Sequence, residues 1–195
     1  MTEPRIVPAH QASRPDIDLI MTEGGDANGC RCQWFKLSAA EWKATGREAR
    51  DDALAAQSGC GQPDAATTSG LVAYVEDQPA GWVAVEPRTA YPRLRTARIP
   101  WSGRDEDRDD AGVWAVTCFV VRRGFRGRGL AKALASAAVE HARDRGATAV
   151  EGYPRIAGAD ESNLFVGSRS IFEAAGMREV SRPTEARAVM RMELR

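Results

Sequence analysis

The sequence predicts an α/β domain on one mixed sheet, largely antiparallel with a parallel pair, flanked by helices. Three observations carry that reading. Residues 113–121, VWAVTCFVV, are apolar at both alternating sets of positions, so this strand is buried on both faces and belongs mid-sheet. LVAYVED (71–77) and AGWVAVE (80–86) are strands joined by a tight turn at Asp77-Gln78-Pro79, a hairpin. After the central strand, Leu130, Leu134, Ala137 and His141 recur at helical spacing, and TAVEGY (148–153) follows. Strand, helix and strand form a βαβ unit, which implies parallel pairing and a right-handed crossover.

The elements follow in order. Arg5 to Val7 reads as a short edge strand, and Asp16 to Met21 as a short helix whose Ile17, Ile20 and Met21 share a face. CQWFKL (32–37) reads as a strand or extended lead-in. Ser38 and Glu41 have capping-box spacing, opening a helix from about Ala39 to Gln57 that Gly46 weakens by roughly 1 kcal/mol and divides into two pieces. Residues 87–112 form a long connection in which YPRL makes one helical turn. RDEDRDD (104–110) reads as a solvated loop, with steering of a cationic substrate as the alternative. Beyond a loop at 154–167, a short helix runs from about Ser168 to Ala175, stopped by Gly176. Two strands close the chain, near 177–181 and 186–193.

Its 195 residues suit one domain, with a variable N-terminal part over 1–60 and a core over 71–195. Hydrophobic content of 43% supports a core, and 28% charged is ordinary for a soluble protein. Net charge is zero, so no whole-molecule field favours nucleic acid or an acidic membrane, and any anion site is local. The cysteines, Cys30, Cys32, Cys60 and Cys118, lack zinc spacing, and His10 and His141 lie far from them; no metal and reduced thiols are expected. No secretory apolar segment follows Met1 and no run reaches membrane-spanning length, so the expected location is the cytoplasm.

The segment VVRRGFRGRGLAKAL, 120–134, sets glycines and arginines where a strand hands over to a helix. The first helical turn offers free N–H groups and the positive end of the dipole, and glycine lets a phosphate approach the backbone. A tight turn with solvated arginines is the plainer alternative. A P-loop needs Gly-Lys-Ser/Thr, but Gly129 is followed by Leu130-Ala131. A dinucleotide fingerprint needs a third glycine where Lys132 stands.

Arg126-Gly127-Arg128-Gly129-Leu130-Ala131 is Arg-x-x-Gly-x-Ala after an apolar strand and before a long helix. It closely resembles the acyl-CoA signature of the GCN5-related N-acetyltransferases. The order of elements from Leu71 onward and the phrase SIFEAAGM (170–177) extend the resemblance. The resemblance implies that backbone amides of Arg126, Gly127, Arg128, Gly129, Leu130 and Ala131 grip the coenzyme A diphosphate. The pantetheine arm would pair with Phe119, Val120 and Val121 where the central strand splays from its parallel neighbour. A free amide there would stabilise the thioester oxyanion by roughly 3 kcal/mol. Acetyl-CoA is then the cosubstrate, and the acceptor a primary amine of a small molecule or peptide. An amine with pKa near 10.4 needs roughly 4–5 kcal/mol of help to become neutral, from desolvation or a base. Glu86 and Glu151 are the candidate bases, each alternatively an exposed strand-end carboxylate.

Where relatives carry a tyrosine that protonates the leaving thiolate, this chain has Phe172, read here as a wall of the cofactor site. Ser170, Ser168 or a water stands in as the acid. Cys118 has no basic neighbour in sequence, so packing is its simpler role; His141 reads as structural. Six residues, Trp34, Trp42, Trp82, Tyr91, Trp101 and Trp114, read as core and rim rather than an acceptor cleft. Phe172 also motivates an alternative, a non-catalytic acyl-CoA-binding regulatory module; a nucleotide-phosphate binder is a third reading. A homodimer through the terminal strands is compatible with the pattern.

Overall fold

A computed structural model describes residues 3–156 and 164–194. Among the described residues, seven strands form one sheet in the order β1-β2-β3-β4-β5-β7-β6, with β1 at Arg5–Pro8, β2 at Gly70–Val75 and β3 at Gln78–Pro87. β4 spans Val113–Val121, β5 Ala149–Gly152, β6 Arg178–Thr184 and β7 Arg187–Glu193. The β4–β5 pair is parallel and the other pairs are antiparallel, as the hairpin and βαβ readings require.

Helix α6, Leu130–Asp144, packs on one face. Its alanines let the helix approach closely, and Leu130 and Leu134 lie against the backbone at Gly81. On the other face, α1 (Arg14–Glu23) buries Ile17, Ile20 and Met21 over Trp82, Cys118 and Val120. The capping box at Ser38 is present: Ser38 Oγ accepts from the Glu41 amide at 3.2 Å, and Glu41 Oε2 accepts from the Ser38 amide at 2.7 Å. As Gly46 predicts, the helix from Ala39 is two pieces, α3 (Ala39–Ala44) and α4 (Arg47–Ser58), and the YPRL turn falls at the start of α5, Pro92–Thr96.

Two features position the site. Residue Thr117 is extra in β4, because Ala84 faces Cys118 while Val85 faces Val116. Beyond Val116 and Gly152 the parallel register stops, while β4 runs on to Val121.

Some expectations fail. Residues 32–37 are turns rather than a strand, because Arg31 and Cys32 take left-handed backbone (φ 48° and 55°). The buried Arg31 guanidinium pins that bend through Asp18 at 2.8 Å and Asp51 at 3.4 Å. A short helix α2, Ala27–Cys30, follows the Gly24-Gly25 pair, between the expected helix at 16–21 and the segment at 32–37. The loop 104–110 is not simply solvated, since Arg104 turns inward. Part of the loop expected at 154–167, residues 157–163, lies outside the described residues.

Candidate active site

The turn between β4 and α6 is left-handed at Gly127 (φ 74°) and Gly129 (φ 78°). A Cβ at either would meet nothing, so dihedral preference and not crowding calls for glycine. No side chain caps α6 at Gly129. The first amides of the helix therefore remain for a ligand or water. Arg126 Nε donates to the Val121 carbonyl at 3.1 Å, fastening the turn to the end of β4.

A cavity of about 540 Å³ runs from this turn along the end of β4. Of the residues expected to hold the cofactor, Phe119, Val120, Val121, Arg126, Gly127, Gly129, Leu130 and Ala131 line it. Arg128 instead lines a smaller cavity on the far side of the turn, with its guanidinium over the Phe125 ring. The opposite wall is Phe165, Gly167 and Ile171, and the rim is Gly24 to Ala27. A side chain at Gly24 would overlap Val120, so the α1–α2 turn lies directly against β4. The sequence reading missed this rim; the Gly24-Gly25 pair was its only signal.

Phe172 does not line the cavity. It is fully buried, packed edge-on to Phe119 with centroids 5.7 Å apart and lying over Gly152. Its expected place in the cofactor site is corrected accordingly, and the neighbouring Ile171 on α7 (Arg169–Ala174) provides the wall. Ser170 is exposed, with Oγ 3.0 Å from Ser168 Oγ, and is not part of the cavity lining.

The two candidate carboxylates differ in surroundings. Glu86, on β3 opposite Ala115, is ion-paired with Lys36, whose ammonium lies 4.7 Å from the Tyr91 ring centre. Burial raises the Glu86 pKa, and Lys36 opposes that shift. Burial and the Glu86 charge together push the Tyr91 hydroxyl well above the ordinary phenol range. Glu86 also borders a second cavity, of about 660 Å³, with Thr67, Thr68, Thr89 and Trp114.

Glu151 has no solvent exposure. Its carboxylate accepts from Arg88 at 3.2 Å, Arg191 at 2.7 Å and the Tyr153 hydroxyl at 2.9 Å, and pairs with Arg104. Burial alone would raise its pKa, but Arg104, Arg191 and Arg88 outweigh burial and hold it below the usual carboxylate range. A carboxylate so held is a poor proton acceptor, which corrects its expected role as a base. Two of these arginines come from the 87–112 connection and one from β7, so no local pattern announced the cluster.

Trp82, Tyr91, Trp101 and Trp114 are buried and Trp34 is exposed, as the core-and-rim reading expects. His141 is buried beside Trp114. Among the described residues, no cluster suited to a metal ion occurs and no helix is long and apolar enough to cross a membrane.

A parallel pair that splays beside a glycine-rich turn, within a seven-stranded mixed sheet, defines an acyltransferase fold. The chain belongs to the Acetyltransferase (GNAT) family, whose profile matches residues 32–155. Among solved structures, an N-acetyltransferase from Staphylococcus aureus Mu50 is 12% identical over 100% of both chains, with TM-score 0.55. The PaiA N-acetyltransferase from Thermoplasma acidophilum, solved in complex with coenzyme A, is 11% identical over 98% of this chain and 99% of its own, with TM-score 0.54. At these identities the likeness concerns the fold. No curated protein matches by sequence.

Proposed function

We propose that the chain is a single-domain N-acetyltransferase that moves the acetyl group of acetyl-CoA to a primary amine by direct attack. The observation that carries this reading is the 540 Å³ cavity joining the uncapped start of α6 to the end of β4 that β5 leaves unpaired. Its dimensions and donors suit a diphosphate at one end and an extended amide-bearing arm along the strand. The amides from Arg126 to Ala131 bind the diphosphate, and Phe119 to Val121 align the arm. A strand amide that the splay leaves free among Phe119, Val120 and Val121 donates to the oxygen on which charge grows during attack.

Glu86 is the general base. Burial raises its proton affinity toward that of an attacking amine's working range, and it has no clamp of arginines. The departing thiolate needs less protonation help than an alkoxide, so loss of the tyrosine position to Phe172 is tolerable. The test is thiol release from acetyl-CoA over an amine panel, with calorimetry of coenzyme A binding. Glu86→Gln should lower kcat by about 10²-fold or more while leaving acetyl-CoA affinity within about twofold. An unchanged kcat would remove Glu86 from the role.

Two observations favour a second reading, a regulatory acyl-CoA binder without turnover: Phe172 replaces the usual acid, and Lys36 already pairs with Glu86. Tight coenzyme A binding with no thiol release for any amine would select that reading.

A further inference from the structure

Cys32 and Cys118 stand 86 positions apart in sequence, yet their Sγ atoms are 3.2 Å apart. The backbone is shaped to bring them together. Arg31 and Cys32 are both left-handed, and the buried Arg31 side chain, held by Asp18 and Asp51, keeps the bend in place. Cys118 follows the Thr117 bulge, whose extra residue sets the direction of its side chain. Closing the sulfurs from 3.2 Å to a bond length of about 2.05 Å needs a displacement of about 1 Å. Cys32 is a partly exposed residue and Cys118 a buried one, so a small oxidant would approach from the Cys32 side.

We propose that Cys32 and Cys118 form a reversible oxidation site, closed by a hydroperoxide, that fastens the segment after α2 to the central strand. The chemistry balances in two steps. The Cys32 thiol attacks the peroxide oxygen, giving a sulfenic acid and water or an alcohol. The Cys118 sulfur then attacks the Cys32 sulfur, and the hydroxyl departs with a proton as water. Two thiols are oxidised and one peroxide is reduced. The adjoining Cys118 thiol and burial both raise the Cys32 pKa, so little thiolate forms and the pair responds only to high peroxide.

The lock has a consequence that rests on Glu86 being the base. Lys36 lies four residues after Cys32 and is ion-paired to Glu86. A bond at Cys32 holds that segment against β4 and keeps Lys36 on the carboxylate, where an acceptor amine would have to displace it. The oxidised protein then binds coenzyme A but transfers slowly.

The test treats the reduced full chain with hydrogen peroxide and counts thiols after unfolding. The four thiols should fall to two, with an intact-mass loss of about 2 Da and one linked peptide pair carrying Cys32 and Cys118. The Cys30→Ser/Cys60→Ser double variant should behave alike, Cys118→Ser should form no bond, and oxidation in denaturant should scatter the pairings. Four surviving thiols, or dominant pairing through Cys30 or Cys60 in the native protein, would overturn the site. Acetyl transfer to an amine should fall about tenfold or more on oxidation and recover on reduction, with coenzyme A affinity within about twofold. A bond that leaves transfer unchanged would overturn the lock. If neither redox state transfers an acetyl group, the transferase reading fails, while the linked peptides still decide whether the oxidation site exists.

Discussion

Gly152 and Phe172 occupy one space: a Cβ on Gly152 would fall within the Phe172 ring. The last residue of β5 therefore accepts the α7 ring onto bare backbone, just where β5 leaves β4. Phe172 is held there from other sides by Phe119 and Gly167. The aromatic at this position is part of the wedge beneath the splay.

Restoring a tyrosine at that position should accordingly fail to restore an acid. In Phe172→Tyr the added hydroxyl must be fitted into a fully buried contact at the Gly152 backbone. The expected cost is about 1–3 kcal/mol of stability, with no gain in kcat. Thermal unfolding and steady-state rates check both. A faster enzyme would show that the ring edge reaches the leaving thiolate.

Gly129 supplies a prediction about binding. Alanine there meets no neighbouring atom but must adopt φ 78°. The substitution should cost about 1 kcal/mol of stability. Relaxation of the strained turn should misalign the first amides of α6 and weaken coenzyme A by about tenfold. Calorimetry of Gly129→Ala against wild type measures this. Equal affinities would mean that the diphosphate is held elsewhere, for instance by arginine side chains alone.

Local pattern made the sheet's centre and the turn legible. The doubly apolar run from Val113 to Val121 had one sensible place, and Arg126 to Ala131 announced a glycine-rich turn opening a helix. The capping box at Ser38 was legible for the same reason, since its two hydrogen bonds join residues three apart. The carboxylates were not. Glu86 and Glu151 look alike in sequence, each a lone acid near the end of an apolar strand. Their difference comes from Lys36 in one case and from Arg88, Arg104 and Arg191 in the other, across many intervening residues. The turn at Arg31–Cys32 was hidden likewise, because a buried guanidinium held by Asp18 and Asp51 overrides the extended preference of CQWFKL.

The arginine cluster makes Glu151 a stability determinant. Glu151→Gln removes the charge that compensates the buried Arg88 and Arg104 guanidinium groups. Loss of one partner from a buried ion pair costs about 3–5 kcal/mol. The folded-state pKa of Glu151 is depressed. Its contribution is thus fully present above the unfolded value of about 4.3 and is lost as pH falls through the lower folded value. Denaturant unfolding should show a large loss for Glu151→Gln at pH 7 that shrinks in strong acid. A variant as stable as wild type at pH 7 would mean that Glu106 alone neutralises the arginines.

His141, buried beside Trp114, supplies a second pH signature. Burial lowers its pKa to about 4, with the Arg145 and His10 charges adding to the shift, so the folded protein holds the imidazole neutral. The unfolded chain binds its proton near pH 6.5, so between about pH 6.5 and 4 the unfolded state carries more protons and stability rises with pH. The contribution is complete above about pH 7 and is lost as pH falls through the window. After allowance for partial solvent screening, the loss is about 2 kcal/mol. His141→Gln has no such titration, so the stability difference between wild type and variant should move against wild type by about that amount from pH 7.5 to pH 4.5. A constant difference across that range would place the ring in contact with water and return its pKa to that of a free histidine.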